Sequence, residues 1–137
     1  MTTRRIKVLC VDDNDMVADA VQMKLGDNPQ FEWIGRLHSA SMLLVEAKMR
    51  MPDVVLLDIA MPGPDPFEVL QTMTQECPKS RVLMFSGFVG SDLIDKAVEA
   101  GAWGYLAKSE TPSKLLWAIE QVANGQFVLE ASTSPQN

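Results

Sequence analysis

Residues 54–57 form a short apolar run that leads directly into Asp58 and then into a loop rich in proline and glycine. The run, Val-Val-Leu-Leu, contains no polar residue, so we predict a strand that is buried on both faces. Such a strand belongs in the middle of a parallel sheet, and open α/β sheets bind their ligands just outside the carboxyl ends of the strands. Asp58 is the first polar residue beyond the run and therefore marks the expected position of a functional site.

Strand-like and helix-like segments alternate along the rest of the chain. The strands are predicted at residues 6–11, 31–37, 54–57, 81–85 and 103–107. The helices are predicted at residues 14–25, 39–50, 65–76, 91–100 and 111–124. The predicted N-terminal caps are Ser39, Asp65, either Ser91 or Asp92, and Thr111. This order predicts an α/β fold, a single doubly wound domain with a five-stranded parallel sheet.

The length and the net charge of the chain limit the class of protein to which it can belong. At 137 residues the chain has the size of one domain, which we expect at residues 1–130, followed by a polar tail or linker at residues 131–137. The net charge of −6 argues against direct binding of nucleic acid, because phosphate contacts need clustered lysine and arginine. No apolar stretch approaches the roughly 20 residues that span a bilayer, and the N-terminus runs into the first strand without a signal sequence. We therefore expect a cytoplasmic protein with no membrane partner.

Polar side chains follow four of the predicted strands. They are Asp12 and Asp13 after the first strand, Asp58 after the third, Ser86 after the fourth and Lys108 after the fifth. Each alone is a weak signal, since a pair of acids is often a helix cap and a lone lysine is often solvated. Because parallel strands end at one edge of their sheet, the four positions together predict a functional site.

The residue types at this edge indicate phosphoryl chemistry. Three neighbouring carboxylates repel one another unless a cation joins them, and an all-oxygen ligand set suits Mg²⁺. A carboxylate such as Asp58 can attack a phosphoryl group and form an acyl phosphate. The ammonium group of Lys108 and the hydroxyl of Ser86 can hold phosphoryl oxygens.

The chain resembles the receiver domain of bacterial two-component response regulators from about Ile6 to Gly125. The matching stretches are Val11-Asp12-Asp13, Asp58 with Met61-Pro62-Gly63, Ser86-Gly87, and residues 101–108. The resemblance implies the flavodoxin-like (βα)5 receiver fold. It also implies a phosphorylation-dependent signalling switch that is no enzyme beyond its own phosphotransfer and dephosphorylation.

The resemblance assigns a role to each residue of the predicted site. Asp58 would accept the phosphoryl group from a histidine of a sensor kinase. Asp13, Asp58 and the backbone carbonyl of Ala60 would bind Mg²⁺ (or Mn²⁺), with Asp12 acting through water. On phosphorylation Ser86 would bond a phosphoryl oxygen and Lys108 would pair with the phosphate. Tyr105 would act with Ser86 in the conformational switch, and its side chain would turn inward as Ser86 moves.

The ending Gly-Tyr-Leu-x-Lys, without a following proline, is similar to the NarL/FixJ subgroup, whose members usually carry a C-terminal helix-turn-helix. The tail is therefore expected to belong either to a receiver cut from a longer transcription regulator or to a stand-alone receiver. Two departures from the family pattern stand near Asp58. Pro66 replaces a common glycine, and Phe88 occupies a position that flanks the attacking water, where we expect it to shield the acyl phosphate.

Trp103 and Trp117 are the candidate interface residues, because they are predicted near the fourth helix, fifth strand and fifth helix. We expect phosphorylation to promote a homodimer there, although either side chain could instead complete the core. Three other functions compete with the switch. An aspartate-nucleophile phosphatase would need a second acid at Ala60, and a flavin-binding protein would place its phosphate against Asp12. A phosphate-independent interaction module would have no use for the intact acids and lysine.

Overall fold

A computed structural model describes residues 4–130, and the predicted tail at residues 131–137 lies outside the described residues. The strands are β1 (Ile6–Val11), β2 (Phe31–Leu37), β3 (Val54–Leu57), β4 (Arg81–Ser86), β5 (Gly104–Ala107) and β6 (Val128–Glu130). The helices are α1 (Asp15–Gly26), α2 (Leu43–Arg50), α3 (Pro66–Glu76), α4 (Ser91–Ala100) and α5 (Pro112–Ala123). A short 3₁₀ turn, Ala40–Met42, precedes α2. No helix among residues 4–130 is long and apolar enough to cross a membrane.

The strands form one sheet in the order β2-β1-β3-β4-β5-β6, and every pair is parallel. The α/β class and the parallel sheet are confirmed, but the prediction of five strands is wrong. Gly125, with φ of +84°, turns the chain after α5, so that residues 128–130 return alongside β5. Only three residues pair there, which is too short a run to stand out in the sequence.

Gly104 explains how β6 can lie so close to β5. A Cβ atom at this position would lie 2.7 Å from the carbonyl oxygen of Val128 and 2.8 Å from a methyl carbon of Leu83. The backbone N–H of Val128 donates to the carbonyl of Trp103 at 3.1 Å, which fixes the start of the pairing. The missing side chain of Gly104 therefore makes room for the sixth strand.

The helices cover both faces of the sheet, as a doubly wound fold requires. Val8 of β1 packs with α1 and α5, whereas its neighbour Leu9 packs with α2, α3 and α4. All four residues of β3 are at most 1% exposed, which confirms that this strand is buried on both faces. Asp58 therefore follows a strand at the centre of the molecule.

The helix N-termini lie at the carboxyl edge of the sheet, and their caps follow the sequence in most cases. Asp65 accepts a hydrogen bond from the N–H of Phe67 at 2.9 Å, and Thr111 accepts one from the N–H of Lys114 at 3.1 Å. Ser39 caps the 3₁₀ turn that precedes α2. The predicted side-chain cap of α4 is wrong, because the cap position is Gly90 and the helix begins at Ser91 without a side-chain cap.

Candidate functional site

The carboxyl ends of the central strands bring the predicted acids together. β1 pairs with β3 through Val11 and Leu57, so that Asp12 and Asp58 emerge side by side. One carboxylate oxygen from each of Asp12, Asp13 and Asp58 lies within 4.8 Å of the others. Asp12 and Asp58 are only 1% and 4% exposed, whereas Asp13 is exposed. We refer to these three residues as the acidic cluster.

Lys108 lies next to the acidic cluster. Its backbone N–H donates to the carbonyl of Ser86 at 2.8 Å, which continues the pairing of β4 with β5. Its Nζ atom lies 2.7 Å from Oδ2 of Asp12 and 3.3 Å from Oδ2 of Asp58. The ammonium group therefore bridges the two buried carboxylates.

Burial and charge shift the pKa values of these groups. Burial raises the pKa of Asp58, Lys108 opposes that rise and Asp12 adds to it. Burial by itself lowers the pKa of Lys108, but its contacts with Asp12 and Asp58 raise the pKa above the ordinary lysine value. Lys108 therefore stays protonated and serves as a counter-ion inside the site. Burial, followed by the charge of Asp12, raises the pKa of the nearby Cys10 thiol to about 12, so this thiol stays protonated and unreactive.

The acidic cluster has the donor set of a hard divalent cation. Its donors are carboxylate oxygens, which are the ligands that Mg²⁺ prefers. When all three carboxylates are ionised, the single charge of Lys108 leaves two negative charges uncompensated. A divalent cation would balance that excess. Ala60 lies on the exposed loop beyond Asp58, and in this loop the backbone N–H of Ile59 donates to Oδ1 of Asp58 at 2.9 Å.

Ser86 and Tyr105 meet at the loop that follows β4. Ser86 is fully buried, and its Oγ accepts a hydrogen bond from the N–H of Phe88 at 2.9 Å. Tyr105 is 1% exposed and donates its hydroxyl to the carbonyl of Phe88 at 2.6 Å. Burial raises the pKa of Tyr105, and the Ser86 hydroxyl opposes that rise. The tyrosine thus lies inward and shares one backbone partner with the serine.

The two candidate interface tryptophans occupy different surroundings. Trp103 is partly buried against the core on the α1 and α5 side, with the guanidinium group of Arg81 4.8 Å from its ring centre. Trp117 is 41% exposed on α5, and Nζ of Lys114 lies 4.8 Å from its ring centre. Their role in an interface stays a prediction.

Arg36, which the sequence reasoning missed, lies beside the acidic cluster. Its Nη1 atom donates to the backbone carbonyl of Asp12 at 2.7 Å, and its Nη2 atom bonds to the carboxylate of Asp15. The apolar pattern of β2 gives no sign of this role, because the face on which Arg36 lies depends on an irregularity in that strand.

Comparison with known sequences decides the family. The sequence model of the response regulator receiver domain matches residues 8–120. The chain belongs to this family. The transcriptional regulatory protein LnrK of Bacillus subtilis is 32% identical over 96% of this chain and 60% of its own length. The nitrate/nitrite response regulator protein NarL of Escherichia coli is 30% identical over 93% of this chain and 59% of its own length. This receiver domain thus spans about three fifths of the length of these curated relatives.

Solved structures agree with this assignment. A LuxR-family response regulator from Aurantimonas is 29% identical, with a TM-score of 0.85 over 91% of this chain and 89% of its own. The signal receiver domain of a NarL response regulator from Mycobacterium tuberculosis is 27% identical, with a TM-score of 0.86 over 90% of this chain and 100% of its own. The predicted resemblance to receiver domains of the NarL/FixJ-like subgroup is confirmed.

Proposed function

We propose that this receiver domain is a phosphorylation-dependent switch and that Asp58 accepts the phosphoryl group. One observation supports this assignment above the others: Asp58 is buried, faces Lys108 at 3.3 Å and belongs to the acidic cluster. The cation next to this buried carboxylate favours its ionised form, which is the form that can act as a nucleophile. The alternative functions, namely a phosphatase, a flavin-binding protein and a phosphate-independent interaction module, have no comparable support.

In the proposed reaction, a carboxylate oxygen of Asp58 attacks the phosphorus of a phosphohistidine on a sensor kinase. The new O–P bond forms as the P–N bond breaks, and the histidine ring leaves with the electron pair of that bond. Lys108 turns from the carboxylates toward a phosphoryl oxygen and neutralises part of its charge. Asp13, Asp58 and the carbonyl of Ala60 would hold Mg²⁺ (or Mn²⁺), and Asp12 would reach it through water. When bound, this cation supplies further positive charge for the transferring phosphoryl group.

The contacts around Phe88 support a relay from the phosphoryl group to the surface. In the proposed relay, Ser86 exchanges its bond to the N–H of Phe88 for a bond to a phosphoryl oxygen. The loop that carries Phe88 then moves, and the hydroxyl of Tyr105 follows its carbonyl partner. Phosphorylation would act by shifting the balance between two arrangements of this loop.

The proposed partners are a sensor histidine kinase and a second copy of the domain, and the proposed location of this protein is the cytoplasm. Trp117, with its exposed ring, and Trp103 at the margin of the core are the candidate residues of the dimer face. The curated relatives include a protein named as a transcriptional regulator and are longer than this chain. We therefore infer that the switch controls transcription through a module outside these residues.

Intact mass spectrometry tests the proposal directly. The protein is incubated with acetyl phosphate and Mg²⁺, beside Asp58→Asn and beside Asp95→Asn, which alters an exposed acid of α4. The wild-type protein and the Asp95 variant are expected to gain one phosphoryl group, and EDTA should abolish the gain. A gain by Asp58→Asn would place the phosphate elsewhere. No gain by the folded wild-type protein would favour a phosphate-independent module.

A further inference from the structure

β2 contains a β-bulge near its middle. Val8 of β1 pairs with Trp33, but the next residue, Leu9, pairs with Gly35, which leaves Ile34 as the extra residue. Gly35 has φ of +143°, a conformation that favours glycine. The carbonyl of Ile34 accepts a hydrogen bond from Nη1 of Arg50, so that α2 holds the bulge in place.

The bulge changes the face on which the last residues of β2 lie. Trp33 packs on the α1 and α5 side, and strict alternation from it would send Arg36 to the opposite face. The extra residue reverses the alternation, so Leu37 packs on the α2 side and Arg36 points toward α1. This irregularity is what brings a guanidinium group to the acidic cluster.

Arg36 forms hydrogen bonds with both ends of the loop between β1 and α1. At the start of the loop, its Nη1 atom binds the carbonyl of Asp12 at 2.7 Å. At the end of the loop, its Nη2 atom binds Asp15, the first residue of α1. The Arg36 side chain is 15% exposed, and Asp13 lies between the two anchored residues. The planar fork of arginine can hold both acceptors at once, whereas one ammonium group cannot take its place in that geometry.

We propose that Arg36 is a positioning residue for the acidic cluster and that it sets the affinity of this site for a divalent cation. The carboxylates of Asp12 and Asp13 repel each other and Asp58. Without the two bonds from Arg36, the loop would let these carboxylates move apart. Arg36 opposes this movement through the backbone, without touching the carboxylate oxygens that would bind the cation. This inference rests on the proposed function of the cluster.

The direction of the change in Mg²⁺ affinity distinguishes a positioning role of Arg36 from a simple effect of its charge. Removing a nearby positive charge would by itself tighten the binding of Mg²⁺, because one competing cation is lost. Losing the fixed position of the loop between β1 and α1 would weaken the binding of Mg²⁺. Arg36→Lys keeps the charge and removes the fork, so a weaker affinity in this variant reports positioning alone.

Isothermal titration calorimetry with MgCl₂ tests the proposal on the wild-type chain, Arg36→Lys and Arg36→Gln. The matched control is Arg5→Gln, because Arg5 also donates to a carbonyl of β2, that of Phe31, but at the other end of the strand. Both Arg36 variants are expected to bind Mg²⁺ about 10-fold more weakly, the smaller of the losses typical when a partner of a metal ligand is removed. The control should bind like the wild type.

Hydrogen exchange without metal supplies a second measurement. Amides of residues 12–15 should exchange faster in Arg36→Lys than in the wild type, while the amides of β3 keep their protection. Wild-type affinity in Arg36→Lys, or tighter binding in Arg36→Gln, would overturn the positioning role and leave the proposed function standing. A wild-type chain that binds no Mg²⁺ would overturn both.

Discussion

Replacing Asp58 with asparagine is expected to raise the free energy of unfolding of the metal-free protein at pH 7. Burial raises the pKa of Asp58, Lys108 opposes the rise and Asp12 adds to it. A carboxyl group whose pKa is higher in the folded than in the unfolded protein costs stability when it is ionised. Asparagine has nearly the same shape and no charge, so the substitution removes that cost.

The charges around Asp58 set the size of the gain. At an effective dielectric constant of about 20, the attraction between Asp58 and Lys108 at 3.3 Å is about 5 kcal/mol. Each repulsion within the acidic cluster, at its largest separation of 4.8 Å, is about 3.5 kcal/mol. The repulsions from Asp12 and Asp13 together exceed the attraction, although solvent screens the exposed Asp13. We therefore expect the variant to be more stable by about 1–2 kcal/mol.

The gain depends on pH in a defined direction. Because the folded pKa of Asp58 lies above the unfolded value of 3.8, protonation of this group stabilises the fold. That stabilisation is fully present below pH 3.8 and is lost as the pH rises through the folded pKa. The difference between variant and wild type should therefore be largest near pH 7 and vanish below pH 3.8.

Urea denaturation in EDTA at several pH values measures this difference. Asp95→Asn, which changes an exposed acid of α4, is the control and should alter stability by no more than about 0.5 kcal/mol. Adding Mg²⁺ should stabilise the wild type more than Asp58→Asn and narrow the gap. A variant that is equally or less stable at pH 7 would refute the reasoning, since Lys108 would then outweigh burial and repulsion.

Three further variants test other parts of the structure. Gly104→Ala should destabilise the protein by about 1–3 kcal/mol in urea, because its Cβ would meet the carbonyl of Val128 at 2.7 Å. Gly26→Ala is the control, because its Cβ would meet nothing within 4 Å. Equal stability of the Gly104→Ala and Gly26→Ala variants would contradict the tight contact between β5 and β6. Lys108→Met should slow phosphorylation by acetyl phosphate about 100-fold, as measured by mass, and an unchanged rate would exclude its contact with the phosphoryl group. Phe88→Ala should shorten the lifetime of the phosphorylated state after donor removal, whereas an unchanged lifetime would count against shielding by this 59% exposed ring.

Much of the fold could be predicted because its signals are local. The apolar run at residues 54–57 is a strand with the predicted bounds, and Asp65 caps the helix that follows the loop. The rule that parallel strands end at one edge then brings Asp12, Asp58 and Lys108 together, as the structure shows. No distant contact is needed for these inferences. The choice of Ser91 or Asp92 as a cap failed, because a neighbouring glycine adopts the extended cap conformation without a side-chain bond.

The amino-acid sequence by itself determined the order of the elements, the buried central strands and the set of polar residues at their ends, because apolar periodicity and caps act over a few residues. Only the tertiary structure decided the sixth strand and the orientation of Arg36. The strand forms where Gly104 leaves space for Val128, and the arginine reaches the acids because the β-bulge at Ile34 and Gly35 shifts the register of β2. Both depend on contacts between segments that are distant in the chain, and these contacts leave no periodic signal in the sequence.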